Sequence, residues 1–437
     1  MIWRAYERRN DPVWSALLTD PTLRAAHGPF TDAIAHATPG SDNYLRHAAV
    51  LIILQFLDGR ISSEALCHAT RALEDLKPKR VRDAVGEVLD SLSSVPEPTP
   101  TTLRALERYA DALQREGRVD LGAHLYQLLT EWHRRFGDPR QLAGIQVRLT
   151  RCLRKLGNRP AAWAASQTGL LAAEIYKDTT ARIELLLEQV ALCIPERRYD
   201  VGARIASEAL NAAQIAENVP LVARARHDWG SLITEAYRTT GDASQLIQGL
   251  RLLDLAWQSV TDNDDTDWPF RILNDLGRAL GLLGYWEVAE EIHRVVYQRA
   301  RDKDMRWRGG INLMDILICR KDYDGFQAIR RDMDRAHLPP PLRAVYWALV
   351  AEGSLAFDCR ADVASACARA GRVAKRIRDV SVLEDLAALK DWRLPPRPQP
   401  PQDLAPEVRD VGLRIVGSRL PVVKKLRRGR RPNRRHD

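Results

Sequence analysis

Residues 273–296 read LNDLGRALGLLGYWEVAEEIHRVV. Leu273, Leu276 and Leu280 fall at steps of three and four, the period of a helix with one apolar face. Gly284 interrupts the pattern, and Trp286 follows it by two positions. Ala289, His293 and Val296 then resume helical spacing. The segment therefore predicts helix A, a tight turn and helix B. Small residues, Gly277 on A and Ala289 on B, stand where two backbones must approach closely.

The same unit recurs along the chain. Turns fall at Gly117, Gly157, Arg197-Arg198-Tyr199, Gly241, Gly284, Lys321-Asp322-Tyr323 and near Arg360, in steps of 40, 40, 44, 43, 37 and 39 residues. Small residues again open helix B, as at Gly122, Ala162, Gly202 and Ala206. An earlier pair, about 44–76, turns at Gly59. A hairpin of this kind cannot bury both faces alone, so stacked neighbours must supply the core. The expected fold is all-α: an α-solenoid, a right-handed superhelix of about eight hairpins.

The order Leu276, Gly277, Leu280, Gly284, Trp286, Ala289 resembles the tetratricopeptide repeat. The resemblance covers roughly residues 44–378 and is strongest at 273–296. The period here is longer than the 34 residues usual for that family, and the Pro that commonly closes each repeat is missing. Long-helix variants of this kind resemble the sensor arrays of bacterial signalling and transcription regulators. Residues 1–43 read as an N-terminal cap, with Trp3, Trp14, Leu17, Leu18 and Phe30 available for packing. Val380–Leu389 reads as a capping helix. Residues 44–392 form the array, and 393–437 are a Pro-rich linker and a basic tail expected to be disordered in isolation.

Composition separates the array from its tail. The 437 residues carry a formal charge of +9. Eight of the cations lie in the last fourteen residues: Lys424, Lys425, Arg427, Arg428, Arg430, Arg431, Arg434 and Arg435. Without that segment 58 basic residues face 56 acidic ones. The tail has no Phe, Tyr or Trp, which argues against base stacking. Six cysteines show no CxxC or metal-ligand spacing and read as reduced, mostly buried thiols. The longest apolar run, Ala48–Leu54, is too short to span a bilayer. A signal-peptide apolar core is absent from MIWRAYERRNDPVW, so a cytoplasmic location is expected.

No phosphate loop, dinucleotide fingerprint, nucleophile elbow or HExxH occurs, so no catalytic residue, cofactor or metal is expected. His124 and His133 lie nine apart, which is not a ligand pair. The acidic stretch Asp262–Asp267 lacks the Gly and closing Glu of a calcium loop, and Asp267 reads instead as an N-cap. Trp229, Trp257, Trp286, Trp307 and Trp347 recur across successive units, as inter-hairpin packing or as an aromatic groove.

Alignment to the repeat puts Arg104, Glu107, Asp111, Arg151, Arg154 and Lys155 on helix A faces turned away from helix B. Asp228, Ser231, Glu235, Arg271, Asn274, Arg278, Arg308 and Asp315 follow in later units. The groups Arg151/Arg154/Lys155 and Arg271/Arg278 read as basic patches suited to a carboxylate. The expected function is a non-enzymatic scaffold that holds a protein or peptide in the groove. The alternative is a nucleic-acid-associated regulator whose basic tail contacts phosphates.

Overall fold

The computed structural model describes residues 21–37, 41–58, 87–88, 99–135, 137–259 and 268–394. The turn at Gly59, Cys67, Trp3, Trp14, Leu17, Leu18, the acidic stretch ending at Asp267, and the linker and tail beyond Leu394 lie outside these residues. Among the described residues there are seventeen α-helices and no strand. The chain divides into two compact units, Met1–Leu185 and Leu186–Asp437.

Unit 1 contains α1 (Pro21–Ala35), α2 (Asp42–Leu57), α3 (Pro100–Arg115), α4 (Val119–Arg135), α5 (Leu142–Lys155) and α6 (Arg159–Tyr176). Helix α7 (Thr179–Cys193) contains the division. Unit 2 continues with α8 (Tyr199–Ile215), α9 (Val219–Thr240), α10 (Ala243–Gln258), α11 (Trp268–Leu282) and α12 (Trp286–Arg299). It ends with α13 (Lys303–Cys319), α14 (Tyr323–Met333), α15 (Pro340–Ala356), α16 (Arg360–Ile377) and α17 (Val380–Lys390). Odd-numbered helices from α3 to α15 are the A helices of seven hairpins, and the even-numbered ones that follow are their B helices.

Among the described residues the seven expected turns are helix ends in the left-handed conformation. Gly117, Gly157, Gly241 and Gly284 have positive φ, and so do the non-glycine residues Arg197, Lys321 and Asp358. At Gly284 the Tyr285 amide donates to the Leu280 carbonyl at 3.0 Å, and the Gly284 amide donates to Gly281 at 3.0 Å. At Lys321 the Asp322 amide donates to Leu317 at 2.9 Å in the same pattern. Two carbonyls that a helix end leaves open are satisfied each time. After the turns at Gly157, Gly241 and Lys321 the next helix is started by a short polar side chain, Asn158, Asp242 and Asp322, the last accepting from the Gly325 amide at 2.9 Å.

The small residues at the start of the B helices set the closeness of each hairpin. Ala162, Ala206 and Ala289 are fully buried. A Cβ on Gly122 would stand 3.1 Å from Gln114 Cγ and 3.4 Å from the Ala110 carbonyl oxygen. The stacked hairpins share continuous cores. In unit 2 one joins Leu250, Leu253, Leu273, Leu276, Leu280, Ile292 and Val296. A second joins Leu313, Leu317, Phe326, Tyr346, Val350, Ala370 and Leu386. Burying each such Leu or Phe is worth about 1.5–3 kcal/mol. The expected packing residue Phe30 is fully buried on α1, which kinks at His27 two residues before Pro29.

Unit 2 closes on itself. Its last helix, α17, packs on α15 and α16 and also reaches the short 3₁₀ turn Ile194–Glu196 at the unit's start. Arg197 pairs there with Glu384.

Candidate ligand-binding face

From α3 to α13 successive A helices are joined to one another by polar side chains. In unit 2 Arg224 on α9 donates to Glu188 on α7 at 2.8 Å, and Glu188 is fully buried. Arg278 on α11 pairs with Glu235 on α9. Asn312 on α13 donates to the Asn274 side-chain carbonyl on α11 at 2.9 Å. His227 on α9 is held on both sides: Nδ1 lies 2.8 Å from Asp228 and Nε2 lies 3.0 Å from Asp275 on α11. The Trp268 ring packs edge-on against it, 5.0 Å between centroids.

These contacts set the charge of the face. Burial alone would lower the His227 pKa, but the Asp228 and Asp275 carboxylates outweigh it and hold the imidazole at about 9. Burial opposes ionisation of Asp275 too, and His227 and Arg278 outweigh it, keeping its pKa well below the carboxylate range. Glu235 is likewise held down, against burial, by Arg278. The face therefore presents fixed, paired charges rather than a field of one sign.

Unit 1 repeats the device. Glu107 on α3 faces His133 Nε2 at 3.1 Å and accepts from Arg148 on α5 at 2.7 Å. Tyr126 donates to Asp111 at 2.6 Å. Burial raises the Glu107 pKa, and the His133 and Arg148 contacts bring it below the usual value.

The expected groove residues divide accordingly. Asn274 is buried, Arg278 is half-buried, and Arg308 reaches Asp304 on its own helix at 3.0 Å. Arg278 and Arg308 both feel the Asp275 carboxylate, so the structure brings these three together. Arg271 is exposed on the same helix. Arg104, Arg151, Arg154 and Lys155 belong to unit 1; Arg104 is exposed, and Arg151 lies 3.9 Å from Glu184. The basic patch read at Arg271/Arg278 is neutralised on Arg278 by Glu235, with Asp275 and Asp315 beside it. Sequence reading missed Asp275, His227, Asn312 and His293. Of these Asp275 had a faint signal: with Arg271, Asn274 and Arg278 it makes a polar stripe at helical spacing within an otherwise apolar helix.

The recurrent tryptophans are packing residues to differing degrees. Trp257 is buried, and Trp307 and Trp347 lie against the second core of unit 2. His124 and His133 do not meet: His124 contacts His27 at 3.3 Å, and His133 contacts Glu107. Among the described residues no group of three or more His, Cys, Asp or Glu could hold a metal ion, and no helix is long and apolar enough to cross a membrane.

No family model matches the chain, and no curated protein matches it in sequence. The fold is similar to solved structures of Rap proteins. The Rap conjugation gene regulator of the plasmid pLS20, solved in complex with the Phr* peptide, matches with a TM-score of 0.52 at 14% identity, over 78% of this chain and 96% of that one. The chain has a tetratricopeptide-like helical-repeat fold. A Rap protein complexed with Competence and Sporulation Factor is also similar, with a TM-score of 0.49 and 11% identity over 77% of this chain and 98% of that one. At these identities the likeness is one of fold.

Proposed function

We propose that this protein is a non-enzymatic regulator or scaffold that binds a peptide on the A-helix face of unit 2. One observation carries the reading: successive A helices are joined by a ladder of fixed, largely buried polar pairs, Glu188–Arg224, His227–Asp275, Glu235–Arg278 and Asn274–Asn312, where an ordinary solvated face needs none. Such a ladder offers preorganised donors and acceptors to an extended backbone, whose amides recur along its length. The plasmid pLS20 regulator, of similar fold, is solved with a peptide bound.

The test is selection of a random heptapeptide display pool on the full chain, followed by calorimetric titration of the enriched peptides. Asn312→Ala and Arg271→Glu are each expected to weaken binding about tenfold, the worth of one hydrogen bond to a desolvated partner. Equal affinity in both variants removes the binding site from this face.

The second reading rests on the sequence of the last fourteen residues, with eight Lys and Arg and one acidic residue. Such a segment suits phosphates, with affinity falling steeply as salt rises. A chain ending at Trp392 should keep its melting temperature and lose salt-sensitive binding to DNA or RNA. Retention of that binding excludes the tail.

A further inference from the structure

His293 stands on α12, a B helix, and is completely buried. Neither ring nitrogen has a hydrogen-bond partner. A buried polar group left this way opposes folding, so its persistence calls for a partner. The ring packs directly against the backbone of α11 at Gly277. A Cβ on Gly277 would stand 2.9 Å from His293 Cε1 and 3.0 Å from Nε2, so only glycine there leaves the imidazole its place.

The ring lines a pocket of about 40 Å³ between the C-terminal halves of α9, α11 and α13. Arg238, Arg278, Asn312 and Asp315 supply its polar wall, and Gly281 and Ile316 part of its apolar wall. About three water-sized atoms fit such a space. Asn312 also belongs to the polar ladder, so the pocket opens from the face already described.

The chemistry of the wall selects an uncharged guest. Arg278 is paired with Glu235, and Arg238 also feels that carboxylate. A carboxylate entering would meet Asp315, and a cation would meet Arg278. Burial, reinforced by Arg278, keeps the imidazole neutral at neutral pH, with its pKa near 3. A neutral imidazole offers one donor and one acceptor. A primary carboxamide matches both, and its carbon, oxygen and nitrogen fill the volume.

We propose that His293 and the pocket it lines form a recognition subsite for an uncharged carboxamide, that of an asparagine or glutamine side chain, in a peptide bound to unit 2. This rests on the peptide-binding reading of that face.

Two measurements on the full chain test it. The first follows the histidine ring nitrogens by NMR while acetamide is added, with acetate and methylammonium as charged controls. His293→Leu identifies the His293 signals by their loss. Acetamide should shift them and the charged probes should not. Resonances unmoved by acetamide show a pocket that holds water only, and equal shifts with acetate show one that does not select an uncharged guest; either result overturns the subsite. The second compares heptapeptides selected by the natural chain and by His293→Leu. The natural chain should enrich Asn or Gln at one position about tenfold over other residues, and the variant should lose that preference alone. Enriched peptides without such a position overturn the subsite and leave the peptide face standing. Failure to enrich any peptide overturns the face, and the subsite as a peptide reader with it.

Discussion

His227 shows how a single residue carries information across repeats. It is nearly buried yet charged, because Asp228 and Asp275 hold its proton. Its pKa is raised to about 9, so its stabilising contribution is complete below the unfolded value of about 6.5 and fades as pH rises through about 9. Asp275 works in the opposite sense. Its folded pKa is lowered, so its contribution is present above the ordinary carboxylate value and is lost as acid protonates it. His227→Gln should cost about 3 kcal/mol near pH 6, the penalty for breaking a buried pair. The difference between variant and natural protein should shrink toward pH 9 and above. A chemical-denaturation series across pH reads this directly; a gap that stays constant contradicts the charged imidazole.

The hairpin turn is the element-scale device. Where Gly284 occupies the left-handed position, no side chain is strained; Lys321 takes the same conformation with a Cβ. Lys321→Gly should therefore stabilise the protein by about 0.5–1 kcal/mol, read as a raised denaturation midpoint. Helix packing predicts the reverse elsewhere. A Cβ on Gly353 in α15 would overlap the ring of Phe326, which is fully buried on α14. Gly353→Ala should lower stability by about 1–3 kcal/mol by overpacking, and Phe326→Leu in the same chain should restore part of it. The four glycine turns were legible in sequence because glycine acts within a few residues of itself. The non-glycine turns at Arg197 and Lys321 were legible only through the forty-residue step.

At the largest scale, the last helix of unit 2 packs on the final hairpin and reaches the turn at the unit's start. Leu386 on α17 is buried in the second core, whereas the Arg197–Glu384 pair is partly open to solvent. Leu386→Ala should cost about 2–5 kcal/mol, a cavity in a packed core. Glu384→Ala should cost under about 1 kcal/mol, because solvent screens an open pair. Thermal melts of the two variants rank them; equal losses would assign the closure to charge instead of packing.

The all-helical hairpin architecture, the turn positions and the small residues between paired helices are specified by the order of residues alone. Those features follow from periodicity and backbone conformation, which are local and therefore written in order along the chain. The tertiary structure alone decided the state of the A-helix face. Arg278 reads as a free cation until Glu235, 43 residues earlier, is seen beside it. His293 reads as one more packing residue until Gly277 is seen to leave room for its ring against α11. Charge and hydrogen-bond partnership depend on which side chains meet one repeat apart, and that is settled only when the hairpins stack.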